Sequence, residues 1–172
     1  FYFHHLLQLN KMHFSKRIYS MQIWLLTHSE EFKKTTGTGK LVKEVLNNEC
    51  GIIEWSRVIP SKTILDLSPE NTLLIYLCEN EELKHHHDSE ITVKNIIIID
   101  GTWQQARKIY NQSPYLKRFK HYEIADIKSV YSKRRNQKIT GLCTAEVAIH
   151  LLAKYQHPAT STLLDRFTEF NR

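Results

Sequence analysis

The stretch Val93-Lys94-Asn95-Ile96-Ile97-Ile98-Ile99-Asp100-Gly101-Thr102-Trp103-Gln104-Gln105 passes from a run of β-branched residues into a turn and a helix start. Four consecutive isoleucines without polar alternation predict a strand covered on both faces, as in a parallel sheet flanked by helices. Thr102-Trp103-Gln104-Gln105 has the S/T-x-x-E/Q form of a capping box, which starts a helix running to about Asn111. Asp100, Gly101 and Thr102 thus stand at the carboxyl end of the best strand, where open α/β sheets bind ligands.

Outward from this point, strands and helices alternate. Ile23–Thr27 predicts a buried strand, Leu41–Leu46 a helix, and Gly51–Val58 and Leu73–Cys78 two further strands. Ser61–Asn71 is expected to be a loop or broken helix, and Glu79–Glu90 an acidic, histidine-rich surface loop. His121–Ala125 predicts a short strand, Ser129–Gly141 a basic loop, Cys143–Tyr155 a strong helix and Leu163–Phe170 a last one. The expected fold class is α/β, with a mostly parallel sheet flanked by helices. With 172 residues the chain holds about one domain, expected over residues 21–172. Residues 1–20 stand apart as a leader that opens with Phe1 and lacks the small-residue cleavage site of a signal peptide. Met12 and Met21 are alternative starts.

Charge is distributed unevenly. Residues 1–100 carry 11 basic and 13 acidic side chains, net −2, whereas residues 101–172 carry 13 and 5, net +8. A basic half on a globular domain points to a polyanion, most often nucleic acid. Lys128, Lys133, Arg134, Arg135 and Lys138 surround Tyr131 in the densest basic stretch, and Lys117, Arg118 and Lys120 lie upstream near Tyr115 and Tyr122. Such clusters neutralise phosphates while aromatics stack on unpaired bases; a solvated loop is the alternative. No apolar run approaches the ~18 residues of a membrane span. Three scattered cysteines, Cys50, Cys78 and Cys143, form no CxxC and no disulfide framework, which suits a reducing cytoplasm.

Other candidates carry less. Thr36-Gly37-Thr38-Gly39-Lys40 lacks the spacing of a phosphate loop. His85-His86-His87-Asp88 invites a metal, but adjacent histidines rarely converge on one ion, and no second cluster supports it. No metal site is therefore expected. Cys143, beside Thr144 at a helix start, is explained by packing rather than nucleophilic attack.

Three segments occur in this order: IWLLTHSEEFKKTTGTGKL from Ile23, IIIIDGTWQQARKIY from Ile96, and YSKRRNQKITGLCTAEVAIHLL from Tyr131. Together they resemble the DTW-domain family, named for its Asp-x-Thr-Trp signature, here Asp100, Thr102 and Trp103. The resemblance spans roughly Ile23 to Tyr155. It implies a SPOUT-like sandwich, knotted near its C-terminus, and the activity of a tRNA-uridine aminocarboxypropyltransferase. Such an enzyme transfers the 3-amino-3-carboxypropyl group of S-adenosylmethionine to uridine N3 and releases methylthioadenosine. The chain departs from the family in three places: Thr36-Gly37-Thr38-Gly39 replaces Thr-Asn-Thr-Gly, Tyr131-Ser132-Lys133-Arg134 replaces Tyr-x-Leu-Arg, and residues 1–20 lack the cysteines of bacterial relatives. Zinc is therefore not carried over.

That chemistry needs no nucleophilic side chain, because the sulfonium is already a good leaving group. It needs a base for the weakly acidic uridine N3–H, and it needs orientation, since three carbons on sulfur compete. The resemblance implies Asp100 as base, with His28 and Glu31 as further catalytic candidates. It implies S-adenosylmethionine contacts at Leu77, Gly101, Thr102, Trp103, Leu142, Cys143 and Thr144. Substrate contacts fall to Thr38, Tyr131, Lys133, Arg134 and Arg135, with Thr27 on the same side as His28, Glu31 and Thr38. Two rival functions are a SPOUT-type RNA methyltransferase and a non-catalytic RNA-binding module.

Overall fold

The computed structural model describes residues 20–77, 92–125, 127–133 and 141–172. The leader up to Tyr19, Cys78, the His85–Asp88 run, Arg134, Arg135 and Lys138 lie outside the described residues. The described chain groups into two compact units: residues 20–37 with 48–127, and residues 38–47 with 128–172.

The first unit is built on a five-stranded, all-parallel sheet. Its strands are β1 (Gln22–Thr27), β2 (Cys50–Glu54), β3 (Thr72–Ile75), β4 (Asn95–Asp100) and β5 (Lys120–Tyr122), in the order β2-β1-β4-β3-β5. The isoleucine run forms β4 at the centre, between β1 and β3, and Ile96, Ile97 and Ile98 are buried on both faces. This confirms the expectation from unbroken apolar character. One face carries Leu26, Leu74 and Ile97, which pack with Trp55, Ile64, Ile109, Leu116 and Phe119 into a core. Ile109 comes from α3 (Trp103–Asn111), and Ile64 from the single-turn helix α2 (Lys62–Leu65).

Local chemistry explains where the elements stop. The Trp55 N–H still donates to the Thr27 carbonyl at 2.8 Å. Beyond it the Ser56 hydroxyl accepts from the Val58 and Ile59 amides and turns the chain away. The expected strand Gly51–Val58 therefore ends at Glu54, and its apolar tail is exposed. The third strand likewise ends at Ile75 rather than Cys78, and the fifth spans Lys120–Tyr122 rather than His121–Ala125. Gly51 faces Trp24 across the β1–β2 pair, where a Cβ would stand 2.4 Å from the indole Cζ3. Only glycine fits there.

The second unit is helical. Helices α1 (Gly39–Leu46), α4 (Thr144–Lys154) and α5 (Thr160–Asn171) pack on one another. They bury Leu41, Val42, Leu46, Ala148, Ile149, Leu151, Leu152, Leu163 and Phe167. Helix α5 begins three residues before the expected Leu163, because the Thr160 hydroxyl and amide both donate to the His157 carbonyl and set the first turn.

Candidate active site

In a parallel sheet all carboxyl ends share one edge, so Thr27, Glu54, Ile75, Asp100 and Tyr122 stand along the same side of the first unit. Thr27 and Asp100 are in register on β1 and β4. The Thr27 hydroxyl lies 3.3 Å from Asp100 Oδ2 and equally far from the Leu25 carbonyl. The His28 N–H donates to the Asp100 carbonyl at 3.0 Å. Asp100 is 8% exposed, a carboxylate at the sheet edge with little contact to solvent.

His28 and Glu31 reach this edge in different states. The His28 ring stacks on Trp55 at 5.9 Å between centroids, and its Nδ1 accepts from the Glu30 amide at 3.3 Å. It caps the single helical turn Ser29–Lys33. The Glu31 carboxylate is mostly buried and paired with the Lys34 ammonium. Both side chains thus have local work in holding the turn after β1.

Thr102 caps α3 as the sequence predicts. Its hydroxyl accepts from the Gln105 amide at 3.3 Å, and Gln105 Oε1 accepts from the Thr102 amide at 2.7 Å. The reciprocal pair satisfies two amides that helix geometry leaves without carbonyls. It also explains Gly101: a Cβ there would lie 3.0 Å from Gln105 Cβ. No glycine among the described residues has positive φ, so Gly101 is not required by its backbone angle. The requirement is room for the capping side chain.

Trp103 follows at the first position of α3 and is 57% exposed, with Leu77 at 45%. Its ring stacks on Tyr76 at 6.3 Å and 12°. Tyr76 stacks in turn on Tyr110 at 4.2 Å and 19°. Sequence reasoning missed Tyr76 and Tyr110. Tyr76 carried one signal, its place beside Leu77 at a strand end; the stack itself depends on β3 lying next to β4.

In the helical unit, Thr38, Cys143 and Thr144 come together. The buried Thr38 hydroxyl accepts from the Ala145 amide at 3.2 Å, joining the start of α1 to the first turn of α4. Burial, reinforced by the nearby Glu146 carboxylate, pushes the Cys143 thiol from its ordinary 9.0 up to about 12. It is a neutral packing group at physiological pH. Glu146 is fully buried, and its carboxylate accepts from the Cys143 amide, the Val130 amide and the Ser129 hydroxyl, each at 2.7 Å. Three donors compensate for taking a carboxylate out of water.

Tyr131 is buried against Phe167 and Phe170, so it packs the helical unit rather than offering a ring face to solvent. Asn171 accepts from the Ser132 amide and donates to the Val130 carbonyl, both at 2.8 Å, and so fixes the segment that presents Lys133. The exposed Lys133 ammonium sits 4.8 Å from the centroid of the Phe170 ring. Arg118 is corrected as a docking candidate: its guanidinium donates to the carbonyls of Ile64, Leu65 and Leu67. It closes the end of α2. Among the described residues, no three His, Cys, Asp or Glu side chains form a metal-ligand group.

A sequence model of the DTW domain matches residues 10–172, which includes both units and the Asp100-x-Thr102-Trp103 signature. The chain belongs to the DTW-domain family. It is 30% identical over 141 residues to tRNA-uridine aminocarboxypropyltransferase 2 of Drosophila melanogaster, an alignment covering 78% of this chain and 56% of the relative. The chain therefore spans little more than half the length of that relative. No solved structure matches it. No helix among the described residues of this DTW-domain chain is long and apolar enough to cross a membrane.

Proposed function

We propose that this chain is a tRNA-uridine aminocarboxypropyltransferase that uses S-adenosylmethionine as donor. The observation that carries the reading is Asp100. Its carboxylate stands at the carboxyl end of the central strand, in register with Thr27 and directly before the Gly101–Trp103 turn. A carboxylate so placed suits the one proton transfer that alkylation at uridine N3 requires.

The residues at this edge suit the donor. The exposed Trp103 ring, backed by Tyr76, offers an apolar aromatic surface to an adenine. Leu77 adds exposed apolar area, and the Thr102 cap holds Trp103 at a defined helix position. When bound, the donor supplies an activated carbon on a sulfonium. Asp100 accepts the N3 proton, Thr27 holds the Asp100 carboxylate, and Trp103 orients the adenosine. His28 and Glu31 are assigned the support of that edge, with His28 tied to Asp100 through its amide.

The assignment of Leu142, Cys143 and Thr144 to the donor, and of Thr38, Tyr131, Lys133, Arg134 and Arg135 to the RNA, rests on the family resemblance and the net charge of +8 over residues 101–172. The same reading includes a SPOUT-like knotted arrangement. Three scattered cysteines without a CxxC pair suit a reducing compartment, and we place the reaction in the cytoplasm. The sulfur-containing product tests the proposal. Incubation with tRNA and S-adenosylmethionine is expected to accumulate methylthioadenosine. Accumulation of S-adenosylhomocysteine instead identifies a methyltransferase.

A further inference from the structure

The pair formed by half-buried Tyr110 and buried His121 takes no part in the chemistry above, yet it ends the aromatic row that begins at Trp103. His121 is fully buried on β5. Its Nδ1 lies 2.9 Å from the Phe119 carbonyl and its Nε2 2.9 Å from the Tyr110 hydroxyl. A carbonyl can only accept, so Nδ1 carries a proton. Burial holds the imidazole pKa below its ordinary value, outweighing the opposing effect of the Phe119 bond. The ring is therefore neutral near pH 7, and Nε2 accepts from the tyrosine O–H.

This bond fixes the plane of the Tyr110 ring, and the fixed plane is passed outward. Tyr110 stacks on Tyr76 at 4.2 Å, and Tyr76 stacks on Trp103, with both pairs within 20° of parallel. Trp103 and Tyr110 are seven residues apart on α3, so they project from the same helix face. Packing alone does not call for the polar pair. A phenylalanine and a leucine would fill similar space without the cost of burying a hydroxyl and an imidazole. What the hydrogen bond adds is orientation.

We propose that Tyr110 and His121 are positioning residues that hold the Tyr76–Trp103 surface in the plane needed to stack a purine ring. The ligand class rests on the function proposed above; the positioning rests on the geometry alone.

The test uses the double substitution Tyr110→Phe with His121→Leu, which removes both partners of the Tyr110–His121 bond together, at the cost of the Nδ1–H bond to the Phe119 carbonyl. The full chain carries 5-fluorotryptophan, and its Trp103 fluorine resonance is assigned with Trp103→Phe. In the folded double variant this resonance is expected to move toward the free-indole position and to narrow. Methylthioadenosine, titrated by calorimetry, is expected to bind about 3–10-fold more weakly, the worth of one neutral hydrogen bond. An unchanged Trp103 resonance overturns the positioning role. So does a shifted resonance with unchanged methylthioadenosine affinity. If the resonance moves but the wild-type protein binds no methylthioadenosine, the positioning stands and the purine reading of the site fails. Should the double variant not fold, Tyr110→Phe alone gives the same two readouts with the ring retained.

Discussion

Thr27 and Asp100 sit opposite each other on neighbouring parallel strands, and the Thr27 hydroxyl bonds the Asp100 carboxylate from a distance of 3.3 Å. The pairing brings together residues 73 positions apart. It fixes one carboxylate oxygen against the sheet. Asp100→Asn preserves shape but removes the proton acceptor. Turnover on tRNA is expected to fall about 10²–10⁴-fold, the usual worth of general-base catalysis, with donor affinity close to wild type. Single-turnover kinetics beside calorimetry separates the two, and a variant with near-full turnover reduces Asp100 to a strand-end residue.

Trp103 carries the stacking surface. Trp103→Ala is expected to weaken S-adenosylmethionine binding by about 1–3 kcal/mol, the range measured when aromatic partners of bases are removed. The indole is largely exposed, so the unfolding midpoint is expected to change little. Unchanged affinity in the folded variant rules out the assignment.

How far all this is legible in the sequence depends on how local the signal is. The Ile96–Ile99 run and the Thr102–Gln105 box act over a few residues, and both appear where expected. Val58 and Ile59 look like the tail of a strand, yet they are the most exposed large apolar residues among those described, because a Ser56 turn outweighs apolar character. Arg118 resembles a phosphate contact until the end of α2, more than fifty residues earlier, is brought beneath it. The Tyr76–Tyr110 stack and the Thr38–Ala145 bond are invisible for the same reason. Each requires a pairing across the fold that no spacing in the chain encodes.

The raised Cys143 thiol has a consequence in alkaline solution. The unfolded thiol loses its proton near pH 9, whereas the folded one holds it to about 12. The folded state therefore keeps this contribution in full below pH 9 and loses it progressively as pH rises toward 12. Cys143→Ala is expected to flatten the fall in stability across that window, read from urea unfolding at stepped pH. Native Cys143 is also expected to resist iodoacetamide at pH 8, and rapid labelling there contradicts the neutral, buried thiol.

The basic stretch is tested through salt. If Lys133, Arg134 and Arg135 all touch phosphates, their joint replacement by Ala should lower the slope of log affinity against log salt by about 2–3, at roughly 0.7–0.9 per contact. Parallel titrations of wild type and variant mark the stretch as solvated surface. Docking would then move to Lys117 and Lys120, since Arg118 is committed to the carbonyls at the end of α2.

The mass of the modified nucleoside bears most directly on the central claim. Bulk tRNA is incubated with the protein and S-adenosylmethionine, digested to nucleosides and compared with the same reaction run with Asp100→Asn. A uridine heavier by one 3-amino-3-carboxypropyl group is expected in the wild-type reaction, and little or none with Asp100→Asn. A uridine heavier by a single methyl group, or tRNA left unmodified by folded protein that binds it, would contradict the account.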